Sequence, residues 1–136
     1  MIAIQNLVET SAYVDDLERA EHCYRDVLGL TLIGKEAARH VFFRVGDHDV
    51  LLLFHAETTL KGDHLPAHGA HGPGHFAFGI AAEALDDWRE RLRNFGVIIE
   101  KEMDWPRKGK SLYFRDPAGN SVELITPGLW GLPSGW

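Results

Sequence analysis

The chain has 136 residues, 45% of them hydrophobic and 25% charged, which is the composition of a folded protein with one well-developed core. Its 14 Lys and Arg against 20 Asp and Glu leave a formal net charge of -6, and no basic stripe interleaved with aromatics offsets it, so nucleic acid is excluded as the expected partner. No apolar run approaches the roughly 18 to 20 residues that cross a bilayer. No basic-then-apolar leader opens the chain, and the lone Cys23 has no intrachain disulfide partner; a cytoplasmic protein with a small-molecule ligand is expected.

Residues 4–14 alternate loosely and carry Val, Thr and Tyr, predicting a half-buried strand. Asp15 and Asp16 then precede Leu17, Ala20, Cys23, Tyr24, Val27 and Leu28, whose spacings of three and four put one apolar stripe on a helix. An aspartate suits the exposed amides at its start, and Gly29 can close it in the left-handed conformation. Short strands follow at 30–36, 40–45 and 49–54, with Gly46-Asp47 turning the last two into a hairpin. The segment 55–74 lacks periodicity and holds Gly62, Gly69, Gly72, Gly74, Pro66 and Pro73, which predicts a mobile linker. A strand over 75–80, a helix through Leu85, Trp88, Leu92 and Phe95 ended by Gly96, and strands near 97–101, 111–115 and 121–125 complete the second half. The apolar tail 127–136, with Leu129, Trp130, Leu132 and Trp136, needs a surface to cover; a homodimer contact is expected.

The order β-α-β-β-β is therefore written twice. Val41-Phe42-Phe43-Arg44-Val45-Gly46-Asp47 returns as Leu112-Tyr113-Phe114-Arg115-Asp116, each copy passing through a turn into a short apolar strand. Both helices also end on a bulky residue followed by Gly, at Leu28-Gly29 and Phe95-Gly96. These features predict an α+β protein, a single domain spanning 1–136 with an internal repeat of 4–54 and 75–126.

Three stretches carry a wider similarity: Tyr13-Val14-Asp15-Asp16-Leu17-Glu18-Arg19-Ala20, Gly74-His75-Phe76-Ala77-Phe78, and Tyr113-Phe114-Arg115-Asp116-Pro117-Ala118-Gly119-Asn120-Ser121-Val122-Glu123-Leu124. With Tyr24-Arg25-Asp26-Val27-Leu28-Gly29-Leu30 they span nearly the whole chain, which resembles the vicinal oxygen chelate superfamily, the group of glyoxalase I, bleomycin-binding proteins, fosfomycin-resistance proteins and extradiol dioxygenases. The resemblance implies tandem βαβββ modules whose curved mixed sheets enclose a cavity. It also implies metal ligands on the first and last strands of each module. Carried onto this chain, those positions are Glu9, His75 and Glu123, with Leu51, or Leu52 if the hairpin register slips by one, where a fourth ligand would stand.

One His and two carboxylates would leave coordination positions open for water or substrate, and would accept Zn²⁺, Ni²⁺, Mn²⁺, Mg²⁺ or Fe²⁺ without choosing among them. By strand parity, residues 7, 9, 11 and 13 share a face, as do 75, 77 and 79, and 121, 123 and 125; small Ser11, Ala77, Gly79 and Ser121 on those faces leave room for a ligand. Glu123 lies between Val122 and Leu124, where an inward carboxyl needs a partner. Tyr13, Phe42, Trp105 and Tyr113 are the aromatic candidates for contact with substrate. The expected function is metal-dependent lyase or isomerase chemistry of glyoxalase type, with Glu9 or Glu123 as the proton-moving base. The alternatives are an extradiol-type ring-cleaving dioxygenase and a non-catalytic protein that sequesters a drug or other small molecule. His55, His64, His68 and His71 are irregularly spaced in a Gly/Pro-rich segment, so one of them at the cavity mouth is expected rather than a second metal cluster.

Overall fold

The structure is a computed structural model and describes residue 2, residues 4–62 and residues 65–136. It divides into two compact units, residues 1–72 and 73–136. The first contains β1 (Glu9–Val14), α1 (Leu17–His22), β2 (Thr31–Glu36), β3 (His40–Val45), β4 (Asp49–His55) and a short α2 (Ala56–Thr59). The second contains β5 (His75–Gly79), α3 (Leu85–Asn94), β6 (Lys101–Asp104), β7 (Lys110–Arg115) and β8 (Ser121–Ile125). Each unit is a βαβββ module, and each holds one four-stranded mixed sheet, in the orders β1-β4-β3-β2 and β5-β8-β7-β6. In both, the first strand runs parallel to the last, and the other pairs are antiparallel.

The repeat is legible in the cores. Val41, Phe43, Leu51 and Leu53 are buried on β3 and β4, and Leu112, Phe114, Val122 and Leu124 are buried at the matching places on β7 and β8. Their intervening neighbours point to the opposite face, as the period of two requires. The helix stripe read from the sequence closes the first core: Ala20, Cys23, Tyr24, Val27 and Leu28 are all buried. Asp16 caps α1 by accepting the Arg19 N–H at 3.0 Å, and the last turn widens to π geometry, with Leu28 N–H reaching the Cys23 carbonyl at 3.0 Å. Gly29 and Gly96 close the two helices at φ 75° and 71°, and Val97 N–H bonds back to the Leu92 carbonyl.

Two strands are shorter than the sequence predicts. β1 starts at Glu9 rather than residue 4, because its partner β4 begins only at Asp49, after the hairpin turn. The strand expected at 97–101 instead runs Lys101–Asp104: the helix cap takes the start of that stretch, and pairing with β7 begins where Glu100 N–H meets the Tyr113 carbonyl at 2.7 Å. The linker is also more tied than its composition predicts. It carries the helical turn Ala56–Thr59, and His68 N–H bonds to the Thr59 carbonyl at 3.2 Å. In the tail, the Trp136 ring lies against Gly79, where a Cβ would come within 2.4 Å of it, while Trp130 and Leu132 stay exposed. Among the described residues, no helix is long and apolar enough to cross a membrane.

Side-chain parity on β3 is open to a direct check. Phe43→Ala should cost about 3–5 kcal/mol in urea unfolding, as for a buried Phe in a close-packed core. Phe42→Ala should cost visibly less, because that ring borders open space on the other face.

Candidate functional site

β8 sets the centre of the second unit. Val122 and Leu124 turn into the core, so Glu123 points to the opposite face, where it pairs in register with Ala77 of β5 and Tyr113 of β7. Its side chain is only 7% exposed. Ser111 Oγ–H donates to Glu123 Oε1 at 2.5 Å, and His75 Nε2 stands 3.3 Å from Oε2. The other His75 nitrogen, Nδ1, lies 3.0 Å from the Ser121 carbonyl, which can only accept, so Nδ1 carries a hydrogen and Nε2 is the atom turned to Glu123. The His75 ring stacks near Tyr113, with centroids 6.2 Å apart and planes at 27°. Burial pushes the Tyr113 pKa up, and the hydrogen bond and charge of Glu123 push it further, so the phenol keeps its proton.

The turn between β7 and β8 holds this register. Asp116 is buried; its Oδ1 accepts the Ala118 and Asn120 N–H groups at 3.0 and 2.8 Å, and its Oδ2 accepts Asn120 Nδ2 at 3.0 Å. Gly119 takes φ 86° inside that loop. Asn120 Oδ1 then accepts the Gly74 N–H at 2.7 Å, and Ser121 N–H meets the Gly74 carbonyl at 2.8 Å. The residue before His75 is thus clamped to the residues before Glu123. The Asp-Pro-Ala-Gly-Asn stretch, read from sequence only as a family mark, is the brace that aligns β5 with β8.

The first unit carries the same frame with different chemistry. Glu9 occupies on β1 the place His75 has on β5, and Leu52, not Leu51, occupies the place of Glu123: Ser11 pairs with Leu52 as Ala77 pairs with Glu123. Leu51 is buried in the core by the parity of β4. Phe42 stands where Tyr113 does, and His40 where Ser111 does. A cavity of about 640 Å³ lies on this face, bordered by Glu9, Tyr13, Arg39, Phe42, Leu52, Phe54 and His68 among others. Tyr13 and His68 share a hydrogen bond of 2.7 Å between Oη and Nδ1, and the His68 ring meets Phe54 edge-on at 4.7 Å. His40 stacks flat on Phe42 at 3.9 Å, and burial and Arg39 lower its pKa.

The predicted residues therefore separate into two groups. His75, Glu123 and Tyr113 come together in the second unit, while Glu9, Tyr13 and Phe42 line the cavity of the first. Trp105 is half-buried, and its indole N–H donates to Ser111 Oγ at 2.8 Å. Sequence reasoning missed Ser111 and Phe54, which strand parity places on the non-core face but whose partners are not readable from it, and Arg39, which lies in the turn before β3 and has no parity to place it. Of the linker histidines, His68 lines the cavity, His71 lies 3.6 Å from Glu57, and His64 lies outside the described residues. Among the described residues, no group of three or more His, Cys, Asp or Glu side chains is arranged to hold a metal ion.

The family model for the glyoxalase/bleomycin resistance protein/dioxygenase superfamily matches residues 6–124. The chain belongs to that superfamily. A solved structure of lactoylglutathione lyase from Agrobacterium tumefaciens is 40% identical, with TM-score 0.90 and coverage of 95% of this chain and 98% of that one. The fosfomycin resistance protein FosX of Mesorhizobium loti is 28% identical at TM-score 0.66, covering 93% and 96% of the two chains. The glutathione transferase FosA of Serratia marcescens is 29% identical over 121 residues, 89% of this chain and 80% of that protein. Two of these relatives, a lyase and a transferase, are named as enzymes, and the likeness supports an enzymatic role here.

Loss of the Asn120 brace should be measurable without any ligand. Asn120→Ala removes the side-chain acceptor of the Gly74 N–H and the Nδ2 donor to Asp116 Oδ2, and should lower stability by about 1–3 kcal/mol in chemical denaturation.

Proposed function

We propose that this protein is a divalent-metal-dependent enzyme of glyoxalase type, acting by lyase or isomerase chemistry on a small oxygenated substrate carried as a thiol adduct. The observation behind it is the apposition of His75 Nε2 and Glu123 Oε2 at 3.3 Å, one oriented by a backbone carbonyl and the other buried and braced. Two lone-pair atoms facing each other at this distance need a proton or a cation to hold them. A nitrogen and a carboxyl oxygen are the donor types that divalent Zn, Ni, Mn and Fe accept, and Mg takes the oxygen. Glu9 is proposed as the third ligand, because it holds in the first unit the register position of His75.

When bound, a divalent ion supplies Lewis acidity toward adjacent substrate oxygens. The remaining work belongs to the chain. Glu123 or Glu9 would take up and return the substrate proton as general base and acid. Tyr113, kept protonated, would donate a hydrogen bond beside Glu123. The aromatic wall of Phe42 and Tyr13 would hold the apolar part of the substrate. The thiol assignment draws on the relatives' names, lactoylglutathione lyase, glutathione transferase and metallothiol transferase FosB of Staphylococcus haemolyticus, the last 27% identical over 117 residues.

Elemental analysis of protein purified without chelator and reconstituted with Ni²⁺, Zn²⁺ or Mn²⁺ tests the site. About one ion per chain is expected, with loss in His75→Ala and weakening in Glu9→Gln. The loaded protein should turn over the glutathione hemithioacetal of an α-ketoaldehyde. Fe²⁺-dependent oxygen uptake with catechols would replace this reading with a dioxygenase. Absence of metal and turnover, with tight binding of a bulky compound, would replace it with a sequestering protein.

A further inference from the structure

We infer that Trp105 and Ser111 are positioning residues for Glu123, linked in a one-way hydrogen-bond chain that fixes one carboxyl oxygen and sets the other toward His75. The inference rests on the metal reading above and assigns a role to two side chains which that reading leaves without one. An indole N–H only donates, so Trp105 Nε1 at 2.8 Å occupies a lone pair of Ser111 Oγ. The single Ser111 hydroxyl proton is then directed to Glu123 Oε1 at 2.5 Å. Ser111 is 1% exposed, so water offers its hydroxyl no competing partner. Each link has one polarity, and the chain ends on the oxygen that does not face His75.

The indole is itself held. The Trp105 backbone N–H bonds to the Gly109 carbonyl at 3.0 Å, closing the loop, and the Lys110 backbone N–H bonds to Thr126 Oγ1 at 2.8 Å, pinning that loop to the end of β8. Ser111 pairs with Ile125 while Tyr113 pairs with Glu123, so the serine reaches the carboxyl on the diagonal of the sheet, where neighbouring side chains can still touch. The first unit provides an internal control. At the place of Ser111 it has His40, stacked on Phe42, and at the place of Glu123 it has Leu52. The hydroxyl donor stands only in the half that has a carboxyl to position.

The test compares wild type with Ser111→Ala, Trp105→Phe, the double variant and Glu123→Gln. Co²⁺ affinity is read by calorimetry and by the visible absorption of the bound ion, and far-UV circular dichroism verifies folding. Ser111→Ala should weaken Co²⁺ binding by about 10–100-fold, the usual cost of losing an orienting partner of a ligand. Trp105→Phe should weaken it less. The double variant should match Ser111→Ala alone, since the indole acts only through the hydroxyl. In metal-free protein, the Trp105 indole N–H resonance, identified by its disappearance in Trp105→Phe, should move upfield and exchange faster in Ser111→Ala. Equal Co²⁺ affinity in wild type and Ser111→Ala, with binding lost in Glu123→Gln, overturns the positioning role alone. An unmoved indole resonance overturns the chain of bonds itself. No Co²⁺ binding by wild type overturns the metal reading and this role with it, even where the resonance shows the bonds intact.

Discussion

Parallel pairing between the first and last strands of each unit is the constraint on which the rest depends. Antiparallel neighbours can be joined by a tight turn, but β1 and β4, or β5 and β8, can lie parallel only if the chain crosses over between them. The helix and the two intervening strands make that crossover, and the helix covers one face of the sheet. Hydrophobic residues at alternate positions follow the helix into the core. The other face is left to residues that do not have to be apolar, and there chain segments far apart in sequence meet: His75 beside Ser121, Ala77 beside Glu123.

A carboxyl on such a face still loses water when neighbouring side chains close around it, and Glu123 is nearly buried. The usual remedy for that cost is hydrogen bonding to several partners, and Glu123 has them in Ser111, Tyr113 and His75. Each of these is itself held, although the His75 side chain is half exposed. His75 is held by the Ser121 carbonyl and the Asn120 brace, Ser111 by Trp105, Tyr113 by strand register. The polar cluster is therefore ordered by the same backbone pairing that makes the sheet.

Much of this was readable beforehand, for reasons that differ by residue. The module order and the core came through because period-two and period-3.6 patterns act locally, and duplication let each half support the reading of the other. Glu123 stood out because a carboxyl between Val122 and Leu124 contradicts the pattern around it. The fourth position was ambiguous between Leu51 and Leu52 because a one-residue hairpin shift reverses the face of every side chain, and only the parallel pairing with β1 resolves it. Trp105 sits in a Gly/Pro loop, where an aromatic carries no sequence mark of the single hydroxyl it meets. The tie between Tyr13 and His68 spans 55 residues and leaves no periodic trace at all.

The unequal contents of the two matching frames bear on how such a protein changes over time. On the function proposed above, the second copy of the module holds His75 and Glu123, while the first sets Glu9 at the border of an aromatic hollow. Substitutions at Phe42, Leu52 or Phe54 alter what fits without disturbing the braces around Glu123, since no hydrogen bond of that cluster passes through them. On that reading, a lineage built this way can explore new substrates at Phe42, Leu52 and Phe54 while Glu9, His75 and Glu123 stay in place.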